Sequence, residues 1–222
     1  GAQTKEIHIK IDSKDLKQVD DFIYLGGTIS DDASTDKDVQ RRTGLACGVM
    51  QSLAPIWKSK AISTQTKVKV YETLVLSVLL YNFETWALKE STKKKLRVFE
   101  MNCLRKIKGV TRRDRVRNTE IRRELKVETD VIQRIQRRRL RYFGHVMRMS
   151  GERLPAIAFS GNVHGSRKRG RPKKRWEDNL KADLDEMGHT MVEAIRLASS
   201  DRDVWRKSVL GLSERGSPSP RH

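Results

Sequence analysis

The sequence holds two cysteines, Cys47 and Cys103, and neither sits in a CxxC pair or at zinc-ligand spacing from its five histidines. That excludes a disulfide-stapled scaffold and a Cys/His zinc module, and it makes reduced, buried thiols of an intracellular protein the expectation. Long apolar runs are missing as well. The longest, Leu74–Tyr81, is interrupted by Ser77 and is far too short to span a bilayer, so no membrane partner is expected. No secretory leader is visible. Aromatic residues are only 6% of 222, which supports modest cores rather than one large one. There is no phosphate loop of the GxxxxGK type and no convincing Ser/His/Asp or Cys/His grouping. Neither a catalytic residue nor a cofactor is therefore expected. The first residue is Gly rather than Met, so the chain reads as starting inside a longer protein.

Acid is scarce in two places, and there the charge gathers. Arg105–Arg148 carries 16 Lys/Arg against 5 Asp/Glu, and Ser166–Trp176 (SRKRGRPKKRW) carries seven basic residues and no acid. Together they supply +18 of the formal +19, so the rest is close to neutral. Charge focused this way is the footprint of a binder of polyanions, because each cation set against a phosphate releases a condensed counterion. Nucleic acid is the leading partner.

Periodicity predicts a mainly α protein with a short β start. Ile7, Ile9 and Ile11 alternate with His8 and Lys10, as in a half-buried strand. Asp12–Lys14 reads as a turn, and Gln18–Ser30 as a second β segment with Gly26-Gly27 inside it, marking a bulge or a close backbone approach. Helices follow. Thr35 and Asp38 predict a capping-box start to a stripe of Val39, Ala46, Val49, Met50 and Leu53. Ser63 or Thr64 opens a second helix through Val68, Tyr71, Val75 and Leu79. Ser91 caps a third, ended by Gly109, and Asn118 caps a short one. Val131–Met149 is a basic helix that turns Ile132, Ile135, Tyr142, Phe143 and Val146 inward. Leu154–Ser160, a helix opened by Pro172, Thr190–Ala198 and Asp201–Val209 complete the set. Residues 213–222 have the composition of a disordered tail.

Candidate binding residues come from both basic segments. Arg134, Arg137, Arg138 and Arg141 form one ridge on the basic helix, with Arg139 in the same RRRLR run, as a phosphate-tracking surface. Arg105, Lys106, Arg112 and Arg113 extend it. The rival is a solvated basic face. Arg169-Gly170-Arg171-Pro172 resembles the core of an AT-hook, flanked by Arg167, Lys168, Lys173, Lys174 and Arg175. The same run also fits a nuclear-import signal or a plain basic linker, and with it a nuclear location. Asp31-Asp32 lies in a polar turn, and turn chemistry explains it better than metal binding. His145 reads as packed or capping.

These blocks occur in a telling order: FIYLGGTIS (22–30), LVLSVLLYNFETWAL (74–88), LRVFEMNCLRKIKGVTRRDRVRN (96–118), RRRLRYFGHVMRM (137–149) and RGRPKKRWEDNL (169–180). From about Glu6 to about Trp205 the chain resembles the C-terminal part of non-LTR (LINE-type) retrotransposon reverse transcriptases. The resemblance implies that Phe22, Tyr24, Leu25, Gly26 and Gly27 are a primer-grip hairpin at the end of the palm, within residues 1–30. Residues 31–90 would be a helical thumb, 91–160 a basic helical region, 161–175 a basic Gly/Arg linker, 176–211 a small helical module and 212–222 the tail. The family's catalytic carboxylates lie upstream of the matched blocks. The expectation is thus a nucleic-acid-binding arm that grips RNA, DNA or a hybrid, does not polymerise alone, needs the upstream palm as partner and has scope for self-association. Neither cysteine fits the Cys/His knuckle of some relatives. The rivals are a stand-alone retroelement-derived DNA-binding or chromatin protein, a helical protein-interaction module, and a self-sufficient polymerase.

Overall fold

Eleven α-helices and four short strands make up most of the regular structure among the described residues, 9–31, 34–161 and 173–208 of a computed structural model. β1 (Lys10–Ile11) pairs antiparallel with β2 (Lys14–Asp15), and β3 (Asp21–Tyr24) with β4 (Gly27–Ser30). Then come α1 (Asp36–Ser52), α2 (Ala54–Lys58) and α3 (Thr64–Val70), which continues through a π-helical turn (Tyr71–Val75) into α4 (Leu76–Leu79). The long α5 (Glu90–Lys108), α6 (Asn118–Leu125) and α7 (Val131–Met147) follow, then α8 (Leu154–Ser160). α9 (Trp176–Glu186), α10 (Met191–Ser200) and α11 (Arg202–Ser208) end the described chain. The protein is mainly α, with a short N-terminal hairpin, a helical bundle and a small C-terminal helical module.

The β start differs from expectation in detail. β1 and β2 form their own two-residue ladder, and Lys14 belongs to a strand rather than to the turn before it. Ile9 and Ile11 are exposed instead of half-buried. Gly26 and Gly27 do not lie together inside a strand: Leu25 and Gly26 are the turn joining β3 to β4. Both take positive φ, +47° and +78°, as a two-residue hairpin turn requires. Glycine does this without strain, and leucine does not. The turn is held from outside. Tyr81 Oη donates to Leu25 O at 2.9 Å, and Arg41 Nη1 donates to Gly26 O at 3.0 Å. Arg42 donates to the same carbonyl, with its guanidinium 4.1 Å from the centroid of the Tyr81 ring.

Two hydrophobic cores follow from the apolar stripes. The larger runs from Val39 to Ile135 and includes Trp57, Tyr71, Leu79, Leu96 and Leu104. It unites the expected thumb with the helices after it, so no packing boundary falls at residue 90. The smaller gathers Leu140 and Phe143 of α7 with Leu180, Leu184, Ala194 and Trp205. α7 thus contributes Ile135 to one core and Phe143 to the other. Side chains also fasten the C-terminal module to the segment after α4. Asn179 accepts from Leu88 N–H at 2.7 Å and donates to Leu88 O at 3.1 Å, and Trp176 Nε1 donates to Glu84 O at 2.7 Å.

Several helix ends match their signals. Ser63 accepts from Thr66 N–H at 3.2 Å, and Thr190 and Glu193 form a capping box. Others move. The Thr35 hydroxyl does not cap α1; it reaches Ala87 O at 3.3 Å. Ser91 and Asn118 lie just inside α5 and α6 rather than capping them. α9 begins at Trp176, and Pro172 is outside the described residues. Of the thiols, Cys103 is buried as expected but Cys47 is exposed.

Two outcomes follow from this packing. A Cβ on Gly144 would overlap the Trp205 indole, so Gly144→Ala must displace that ring. Urea denaturation is expected to show a loss of about 1–3 kcal/mol. Burial pushes the Cys103 thiol up to about 12, so near-neutral alkylation followed by mass spectrometry is expected to label Cys47 and spare Cys103 until the chain unfolds.

Candidate functional site

α7 (VIQRIQRRRLRYFGHVM) contains no acidic residue, so its charge is balanced only from elsewhere. Its start is fixed by a capping box. Asp130 accepts from Gln133 N–H at 2.8 Å, and the Gln133 side chain accepts from Asp130 N–H at 2.9 Å. Wholly buried Glu100 accepts from Val131 N–H at 3.1 Å and from the Arg122 guanidinium. Burial pushes the Glu100 carboxyl above its ordinary value, against the pull of Arg122.

The arginines of α7 divide into four groups. Arg139 turns inward, 2% exposed, and pairs with Asp183 of α9. It is removed from the binding ridge, because on a helix it shares the face of Ile135 and Phe143. Burial lowers the Arg139 value and raises that of Asp183, so desolvation outweighs their mutual attraction in both. Arg134 pairs with Glu72 of the π turn and is partly spent on structure. Arg137 and Arg141 are exposed and enter no ion pair among the described residues. Arg138 keeps an exposed edge while donating to Leu80 O at 2.7 Å.

Residues 138, 141, 145 and 148 recur every three or four positions and so form one stripe. That stripe lines a cleft of about 600 Å³, with Arg202 of α11 and Tyr142 beside it and Glu84 as the acid among its lining residues. Arg148 donates to Ala198 O at 2.8 Å. It lies below its ordinary value, first through burial and then through the positive charge of Arg202. Arg138, Arg141, Arg148 and Arg202 enter no ion pair among the described residues, so four crowded cations face one lining acid, Glu84, with Asp201 partly offsetting the charge at Arg148. Arg148, Arg202 and His145 were not among the expected site residues. His145 is exposed at this cleft rather than packed or capping.

A smaller hollow of about 280 Å³ brings Arg105 and Arg112 together with Arg97, Asn102 and Asn118. Arg105 Nη2 donates to Asn118 Oδ1 at 2.5 Å, and Arg112 Nη2 to Asn102 Oδ1 at 3.1 Å. Lys106 and Arg113 are exposed outside it. Lys173, Lys174 and Arg175 are exposed ahead of α9, and Arg175 lies 3.8 Å from both Glu177 and Asp178. Arg167, Lys168, Arg169 and Arg171, with the AT-hook-like core, are outside the described residues. On the hairpin, Phe22, Tyr24 and Leu25 are exposed, Gly26 is half-buried and Gly27 buried. Asp31 is exposed in its turn, and Asp32 is outside the described residues. Among the described residues no group of three or more His, Cys, Asp or Glu could hold a metal, and no helix is long and apolar enough to cross a membrane.

The two neighbouring arginines of α7 separate by substitution. Arg139→Ala strands the buried Asp183 carboxylate and is expected to cost about 3–5 kcal/mol in denaturant titrations. Arg141→Ala removes an exposed side chain and is expected to stay within about 0.5 kcal/mol of the parent.

Over residues 50–81, from the end of α1 to Tyr81, the chain is similar to a family described as a domain of unknown function (DUF6451). No curated protein and no solved structure matches it.

Proposed function

We propose that the protein binds nucleic acid through its arginine-lined cleft and the flanking basic helices, as the thumb and C-terminal arm of a retroelement reverse transcriptase. The observation that carries the binding reading is the convergence of Arg138, Arg141, Arg148 and Arg202 on one cleft with no ion pair among the described residues. Like charges held together repel, and a phosphate backbone relieves that repulsion while releasing counterions. The retroelement assignment rests on the ordered sequence blocks. In this reading the β3–β4 hairpin is the primer grip, and its Phe22, Tyr24 and Leu25 side chains, all more than half exposed, seat against primer and palm. The chemistry of polymerisation belongs to the palm and not to these residues.

The test is a fluorescence-anisotropy titration over a range of salt. It compares an RNA–DNA primer–template, an A·T-rich duplex, a G·C-rich duplex and single-stranded RNA. The expected plot of log affinity against log salt has a slope of about −3 or steeper. The Arg141→Ala/Arg202→Ala double variant is expected to flatten it by about 2, roughly one unit for each phosphate that is no longer neutralised. Weak, salt-insensitive binding to all four ligands would end this reading. A strong A·T preference would replace the polymerase arm with a stand-alone DNA binder acting through Arg169–Pro172.

A further inference from the structure

Beside the arginine cleft lies a second hollow of different chemistry. It has a volume of about 390 Å³, and Tyr142, Val146, Pro155, Phe159 and Trp176 line it together with the charged pair Arg175 and Glu177. Trp176 stands edge-on to both Tyr142 and Phe159, with ring centroids 6.3 Å apart and planes at 88° in each case. Its indole N–H is fixed to Glu84 O, and Glu84 itself lines the arginine cleft. Tyr142 lines both spaces. A single side chain therefore forms a wall shared by a cationic cleft and an aromatic hollow. Both volumes fall within the range of small-molecule sites, roughly 300–1,000 Å³.

We infer that the two spaces form one composite site for unpaired nucleotides. The aromatic hollow receives an unstacked base, and the arginine cleft holds the phosphates flanking it. This inference rests on the nucleic-acid reading above and narrows it to single strands. A backbone can be gripped by arginines whether or not its bases are paired. An aromatic wall is open only to a base whose face is free, because in a duplex each face is already stacked. An apolar peptide would fill the hollow equally well, but it would have no use for the four guanidiniums across Tyr142. Within the hollow Arg175 lies 3.8 Å from Glu177, so the grip on phosphate rests on the arginine cleft and not on Arg175.

The experiment uses the full chain and two ligands of equal length and known charge, a thymidine homopolymer and a mixed-sequence blunt duplex, at matched salt. The homopolymer is expected to bind more tightly. Tyr142→Ala is expected to weaken homopolymer binding roughly tenfold while leaving duplex binding within about twofold, and Tyr142→Phe is expected to bind as the parent does. Arg141→Ala/Arg202→Ala is expected to weaken both ligands. A fluorescent purine analogue placed in the homopolymer is expected to lose emission on binding the unmodified protein, a readout that needs no variant to fold. If the duplex binds as tightly as the homopolymer, or if Tyr142→Ala affects both alike or neither, the composite site is overturned while nucleic-acid binding stands. If neither ligand binds in a salt-dependent way, both readings fall together.

Discussion

The two hydrophobic cores are joined by one helix that is buried twice. The first half of α7 completes the larger core through Val131 and Ile135, and its second half seeds the smaller core through Leu140 and Phe143. The same helix carries no acid, so like charges meet at three- and four-residue spacing along its open side, and that spacing is destabilising in isolation. The two cores, the Glu72 and Asp183 carboxylates and the Asp130–Gln133 capping box oppose that repulsion. A basic surface can therefore be displayed in a fixed geometry without neutralising it.

The hairpin lies at the other extreme. Phe22, Ile23, Tyr24, Leu25 and Ile29 leave most of their area in water. What anchors the hairpin is polar: the carbonyls of its turn held by Arg41, Arg42 and Tyr81, and the Asp21 carboxylate of β3 accepting from Lys37 Nζ of α1 at 2.5 Å. Hydrogen bonds to the backbone fix the position of the turn without covering its side chains. The apolar faces thus remain available in a defined orientation.

Much of the helical layout was legible because burial imposes a local period. The stripes of α1, α5 and α7 could be read from spacing alone, as could the start of α3 at Ser63, whose cap rests on a neighbour three residues away. What escaped depended on partners far along the chain. Arg139 lies in a basic run and gives no local sign that Asp183 buries it. The cleft unites a stripe on α7 with Glu84 and Arg202, which no single window of sequence contains. Tyr142 was expected to face inward with Phe143, yet one residue of helical rotation leaves it as a wall between two open spaces. Its signal was present in the stripe 138, 141, 145 and 148 beside it, had the positive residues been read at helical period rather than as a run. The hairpin turn was misplaced because paired glycines suit a bulge and a tight turn equally, and only the register distinguishes them.

The Asn179 side chain meets the Leu88 backbone as a neighbouring strand would, one donor and one acceptor deep, with both residues about 99% removed from solvent. During synthesis Leu88 leaves the ribosome long before Asn179 exists. Until then the larger core can collapse around its own apolar side chains, but the Leu88 peptide group has only water to bond to. The nascent protein therefore waits for its last helices to supply the partner of this peptide group, along with the Trp176–Glu84 and Arg139–Asp183 contacts.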